Sequence, residues 1–225
     1  MVSSGGVLVA SGIWSLDRIC SGGFPRGGMI LLSGPSGSGK TSLAYEFLLR
    51  GTEMGEKGLL ATDCVPSEKY LRQLPELSFR SGKAPGKGVT MLALDTDDFD
   101  FKKGLAIVEE IGKKLPAGGR LVWDPLPLAF STLTAVEQQA ILNRLADVIY
   151  EKKAVAVLVS EHSDGVLATL VDGIIALDGE ERESDVLRTL QVVKMKGTKH
   201  SLSRHAMLLS HEGILLARLL RRGRK

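Results

Sequence analysis

Residues 34–41 read Gly-Pro-Ser-Gly-Ser-Gly-Lys-Thr, so Gly34, Gly39, Lys40 and Thr41 fill every fixed position of a GxxxxGK[ST] pattern. That spacing builds a loop around a phosphate. Glycines let the backbone curl with successive N–H groups turned inward. Lys40 supplies a point charge for the β- and γ-phosphates, and the Thr41 hydroxyl suits a Mg²⁺ ion. An apolar run, MILLS, precedes the loop, and TSLAYEFLLR continues it as an amphipathic helix. The positive N-terminal end of that helix faces the same anion. Gly34, Pro35, Ser36, Gly37, Ser38, Gly39, Lys40, Thr41 and Ser42 together form a candidate nucleotide cradle for ATP and Mg²⁺. Nothing in the chain separates ATP from GTP.

Such a site needs a second part, a carboxylate at the end of an apolar strand that holds Mg²⁺ through water. Three runs end that way, at Asp63, Asp95 and Asp124. Spacing favours Asp124, in RLVWD, about eighty residues past the loop and at the end of the third strand after it. Asp95 is the alternative, and either could simply cap a turn.

The elements that must position these residues alternate along the chain. Strands are expected at 28–34, 58–63, 89–95, 120–124, 154–161 and 172–179. Helices are expected at 40–53, 102–115 and 135–151. Repeated strand–helix–strand units imply right-handed crossovers and a mainly parallel sheet covered on both faces, an α/β class. The continuously apolar strands agree with burial on both faces. After Asp178 the segments LRTLQVVKMK, HAMLLS and GILLARLL read as late strands and hairpins at one sheet edge. RSGKAPGKG (80–88) reads as a loop, and RRGRK (221–225) as a basic, frayed end. No linker divides residues 1–225, so one domain is expected.

Composition limits the function classes. Of 225 residues, 44% are apolar and 24% charged, ordinary for a globular protein and unlike a disordered chain. No apolar run approaches the ~18 residues of a membrane span. The opening MVSSGGVLVASGIW lacks a basic n-region and does not read as a signal peptide. A net charge of +3 is too small to imply nucleic acid. Two cysteines, Cys20 and Cys64, make no disulfide framework, and a reducing cytoplasm is expected. No cysteine or histidine spacing suggests a metal cluster.

With these residues in place, the sequence resembles the KaiC/RadA branch of the RecA-type ATPases, with single-domain KaiC-like proteins the nearer match. The lead-in GIWSLDRICSGGFPRGG reproduces a family run in Leu16-Asp17, Gly22-Gly23, Pro25 and Gly27. VDGIIAL (171–177), LQVVKMKGTKH (190–200) and HEGILL (211–216) are similar to its closing pattern.

The resemblance implies a RecA-type fold, a Mg²⁺-dependent ATPase and a ring or filament with nucleotide at subunit interfaces. It implies that Asp63 stands where a Glu orients and deprotonates the attacking water, with Cys64 replacing a second Glu. Pro66 and Glu68 keep the rest of that pattern. Asp63 is one methylene shorter, so slow hydrolysis is expected. Glu161, in Ser160-Glu161-His162, falls where a γ-phosphate sensor sits, and a histidine such as His162 is more commonly a surface or capping residue. Lys194-Met195-Lys196 matches a Lys-Met-Arg motif whose cations reach the neighbour's nucleotide. Both lysines fall on one side of a strand, and Lys196 lacks the bidentate fork of Arg. Alternative readings are a nucleotide-gated binding module with negligible turnover, and a RadA-paralogue recombination accessory that binds DNA. The loops after Asp124 and Glu161 are poor in Lys and Arg, so DNA is only weakly supported.

Overall fold

The computed structural model describes residues 8–63, 88–163, 165–182, 185–210 and 212–219. Cys64, Pro66, Glu68, the basic end and all of the expected 80–88 loop except Gly88 lie outside them. The elements run β1 (Leu8–Val9), α1 (Trp14–Ile19), β2 (Phe24–Pro25), β3 (Met29–Ser33), α2 (Lys40–Glu53), β4 (Gly58–Thr62) and β5 (Val89–Ala93). Then follow α3 (Phe101–Lys114), β6 (Arg120–Trp123), α4 (Ala135–Glu151), β7 (Val155–Ser160), α5 (Gly165–Leu170), β8 (Gly173–Arg182), β9 (Asp185–Met195), β10 (His205–Ser210) and β11 (Gly213–Arg218).

Among the described residues, β3 to β11 form one sheet in the order β11-β10-β9-β8-β3-β7-β6-β4-β5. From β8 through β5 every pairing is parallel. From β8 to β11 the pairing is antiparallel. This is the mostly parallel α/β sheet expected, with hairpins at one edge, and it is consistent with a RecA-type core.

Both faces are covered, which is why the central strands read as unbroken apolar runs. Ile30 and Leu32 of β3 pack with α1 and α2, through Leu16, Leu43 and Phe47. Met29 and Leu31 face the other way, toward α3 and α4, through Ile111, Leu145 and Ile149. Helix starts follow local chemistry. The Asp100 side chain accepts from Lys103 N at the head of α3, which therefore begins one residue before the expected start. Thr134 and Glu137 make a reciprocal capping box at the head of α4.

Three features differ from the sequence expectation. Residues 8–25 form a two-strand ribbon, β1 with β2, and a six-residue helix, α1. The Asp17 carboxylate organises this lead-in by accepting from Ser11 N at 2.6 Å and Gly12 N at 3.1 Å. Helix α5 is too short to leave a clear period in the sequence. Strand β5 ends at Ala93, leaving Asp95 in an exposed turn where it accepts from Asp97 N.

The open edge of the sheet, β11, is closed by side chains from the other layer. Glu46 of α2 accepts from Ile214 N at 2.8 Å, and Ser15 of α1 accepts from Leu216 N at 3.0 Å. Such caps occupy donors that would otherwise template another strand.

Candidate functional site

The cradle opens where β3 ends. Gly34 has φ 144°, and a Cβ there would meet the Leu177 carbonyl oxygen at 2.1 Å, so only glycine passes beneath β8. Gly39 takes the left-handed conformation at the N-cap of α2, turning the loop directly into the helix. Lys40 Nζ donates to the Gly34 and Pro35 carbonyls at 2.6 and 2.8 Å, so its ammonium lies over the loop. Ser38 is buried, and its Oγ has no hydrogen-bond partner. A glycine-lined turn, a cation folded over it, an unpartnered hydroxyl and a helix N-terminus suit a phosphate group.

Sheet register brings two carboxylates to the same end. Ser33 of β3 is level with Ser160 of β7, so Gly34 and Glu161 leave the sheet side by side. Trp123 of β6 is level with Leu158 of β7, which puts Asp124 at that same end, one strand beyond β7. Burial pulls the Lys40 ammonium below the ordinary lysine range, while the Glu161 and Asp124 carboxylates push it back up. The three side chains therefore share one electrostatic environment. Asp124 is buried and Thr41 half-buried, and this pair of oxygen donors at the cradle suits Mg²⁺.

Asp95 is elsewhere. It lies past β5 at the far edge of the sheet, exposed, with Lys103 Nζ at 3.2 Å. That cation, with the Asp97 N–H, holds its carboxyl below the usual range. Asp63 follows β4, next to β6, so it stands beside the Asp124 strand end. Its Oδ2 accepts from Thr96 Oγ1 at 2.9 Å. His162 is exposed, and its N–H donates to Ser160 Oγ, a local turn contact.

Lys194 and Lys196 sit at the opposite end of the sheet from the cradle. Lys194 is level with Ile174 of β8, which is level with Leu31 of β3, and Lys196 lies beyond it. Lys194 Nζ donates to the carbonyls of Ala168 (2.6 Å) and Thr169 (3.2 Å), and Lys196 Nζ to that of Leu170 (3.2 Å). These are the last carbonyls of α5, a favourable place for cations.

One functional candidate escaped the sequence reading. Arg188 of β9 donates its Nε–H to the Gly37 carbonyl at 3.2 Å, adding a second cation at the loop. It lies six residues before Lys194, in the part of β9 whose expectation rested on its apolar residues. Strand alternation puts Arg188, Leu190 and Val192 on one face, the face that carries α2, and that was the available signal.

A family model described as the KaiC ATPase matches residues 9–220. The chain is 29% identical over 226 residues to the circadian clock protein KaiC2 of Synechocystis sp., covering 91% of this chain but 39% of that protein. It thus spans about two fifths of that relative's length. UPF0273 proteins of Pyrococcus horikoshii and Pyrococcus furiosus are 28% and 27% identical, each over 96% of this chain and 97% of their own. Among the described residues, no helix is long and apolar enough to cross a membrane.

Proposed function

The chain belongs to the KaiC family of ATPases, and from that premise we propose that it binds ATP with Mg²⁺ and hydrolyses it slowly at interfaces between like subunits. The observation that carries this reading is the convergence of Lys40 with Glu161 and Asp124 at one end of three neighbouring strands. Residues Gly34 to Ser42 wrap the phosphates, and the Lys40 ammonium exchanges the Gly34 and Pro35 carbonyls for phosphate oxygens. Thr41 and Asp124 hold Mg²⁺, whose charge polarises the phosphoryl oxygens when it is bound. Asp63 takes a proton from the attacking water, and Glu161 senses the γ-phosphate. Lys194 and Lys196 of a neighbouring subunit neutralise charge on the transferring group. Their position at the far end of the sheet from their own cradle supports a role in trans.

A second reading, a nucleotide-gated binding module with negligible turnover, is favoured by one observation. The Asp63 carboxylate is short for its task and already engaged by Thr96.

One experiment separates the two: mass measurement with and without ATP and Mg²⁺, combined with phosphate release. Assembly on ATP with slow, concentration-dependent release supports the ATPase. Assembly with no release supports the module, and neither assembly nor ATP binding removes both.

A further inference from the structure

Asp172, between α5 and β8, is bonded in two directions. Its Oδ2 accepts from Met29 N at 3.0 Å, and its own N–H donates to the Met29 carbonyl at 2.8 Å. Met29 is the first residue of the strand that ends in the cradle. On the other side, the Asp172 carbonyl accepts from Lys196 N at 2.7 Å, and Oδ1 lies 3.5 Å from Lys196 Nζ. The carboxylate is thus fixed by backbone on one oxygen and faces an ammonium with the other. Lys194 stands close enough to Lys196 to feel its charge, and close enough to Asp172 for the carboxylate to offset that repulsion.

From these contacts, and resting on the reading that the lysines act in trans, we propose that Asp172 is the positioning residue of the Lys194/Lys196 pair, anchoring it to the start of the cradle strand and allowing two cations to stand together. A carboxylate here does two tasks that an apolar residue cannot. It accepts the Met29 N–H, and it supplies the counter-charge that keeps both ammonium groups at the α5 end rather than splayed into solvent. Because Met29 and Ser33 bound the same strand, the lysines offered to a neighbour are tied rigidly to the subunit's own cradle.

The difficulty in testing this is that Asp172 touches β3, so a variant could act through its own cradle instead. Mixed assemblies separate the routes. Lys40→Ala subunits cannot hold ATP but donate lysines. Lys194→Ala/Lys196→Ala subunits hold ATP but donate none. Phosphate release is measured on equimolar mixtures, with co-assembly checked by mass, and Asp172→Asn is placed on one partner at a time. Asparagine is nearly isosteric and can still accept from Met29 N. On the lysine donor it should lower the recovered rate by about ten- to a hundredfold, the scale of an ångström misplacement. On the ATP-binding partner it should leave the rate within about twofold of the parent mixture. Equal losses on both sides, or a loss on the ATP-binding side alone, would overturn the proposal. No recovery in the parent mixture would remove the trans reading, and the proposal with it. Should the Asn variant not assemble, Asp172→Glu keeps the charge, displaces it by one methylene, and should show the same one-sided loss.

Discussion

Arg188 Nε lies 3.2 Å from the carbonyl oxygen of Gly37, so the antiparallel half of the sheet touches the phosphate loop formed by the parallel half. A loop carbonyl is a poor final partner for a guanidinium beside a phosphate site, because an anion makes a stronger, charge-assisted bond. Arg188→Ala should weaken ATP affinity by about tenfold, and Arg188→Lys should recover part of the loss. Titration of ATP and Mg²⁺ onto each variant checks this, and equal affinities would confine Arg188 to bracing the loop.

Lys40 and Asp124 should separate binding from metal dependence. Lys40→Ala removes the cation that lies over the loop and should abolish ATP binding or weaken it severely. Asp124→Asn should spare much of the affinity but remove the Mg²⁺ dependence of turnover. ATP binding and phosphate release, each measured with Mg²⁺ and with EDTA, test both variants. Persistent metal dependence in Asp124→Asn would return attention to the other carboxylates at the cradle.

Asp63 decides between slow catalysis and none. Asp63→Ala should lower phosphate release while leaving ATP binding intact. Asp63→Glu with Cys64→Glu should raise it, because the longer carboxylate reaches past the Thr96 hydroxyl that engages Asp63. Turnover in Asp63→Ala equal to the parent would pass the proton-accepting role to another group, with Glu161 next in line.

The legibility of these features in the sequence follows their range. The cradle was fully legible, because it is one continuous segment whose glycines answer local backbone demands. Asp124 was legible as an apolar run ending in a carboxylate, and sheet order then separates it from Asp95, which follows the edge strand β5 and pairs with Lys103. Arg120, Glu46, Asp172 and Arg188 were not legible. Each is a charged residue with a backbone partner far along the chain, Ile214 N in the case of Glu46, and no periodicity records such a pairing.

Arg120 shows the cost of missing them. It is 1% exposed at the start of β6, and it donates to the carbonyls of Ala10, Ser11 and Phe47 and to the Glu56 carboxylate. Its guanidinium also lies 4.4 Å from the centre of the Phe47 ring. It therefore pins the lead-in to the cradle helix. Arg120→Met would leave those carbonyls without this donor and the Glu56 carboxylate without its buried partner. The loss should be about 3–5 kcal/mol, and thermal unfolding should begin about 10 °C lower. An unchanged Tm would mean that water replaces the guanidinium.

The lysine pair should give hydrolysis an alkaline limb whose position can be moved. Burial pulls the Lys194 ammonium below the ordinary lysine range, the Lys196 charge pulls it further, and Asp172 pushes it back up. If the protonated form neutralises the neighbour's phosphate, activity is full below that lowered pKa and is lost as pH rises through it. The two variants move the limb in opposite senses. Lys196→Gln removes a neighbouring positive charge, so the Lys194 ammonium holds its proton longer and the limb moves to higher pH, whatever happens to the maximum rate. Asp172→Asn removes a neighbouring negative charge, so the proton leaves earlier and the limb moves to lower pH. A loss of fold would lower the whole profile without shifting the limb in either direction. Rates at saturating ATP between about pH 7 and pH 10 read the two shifts directly. A limb that stays in place in both variants belongs to a group other than Lys194.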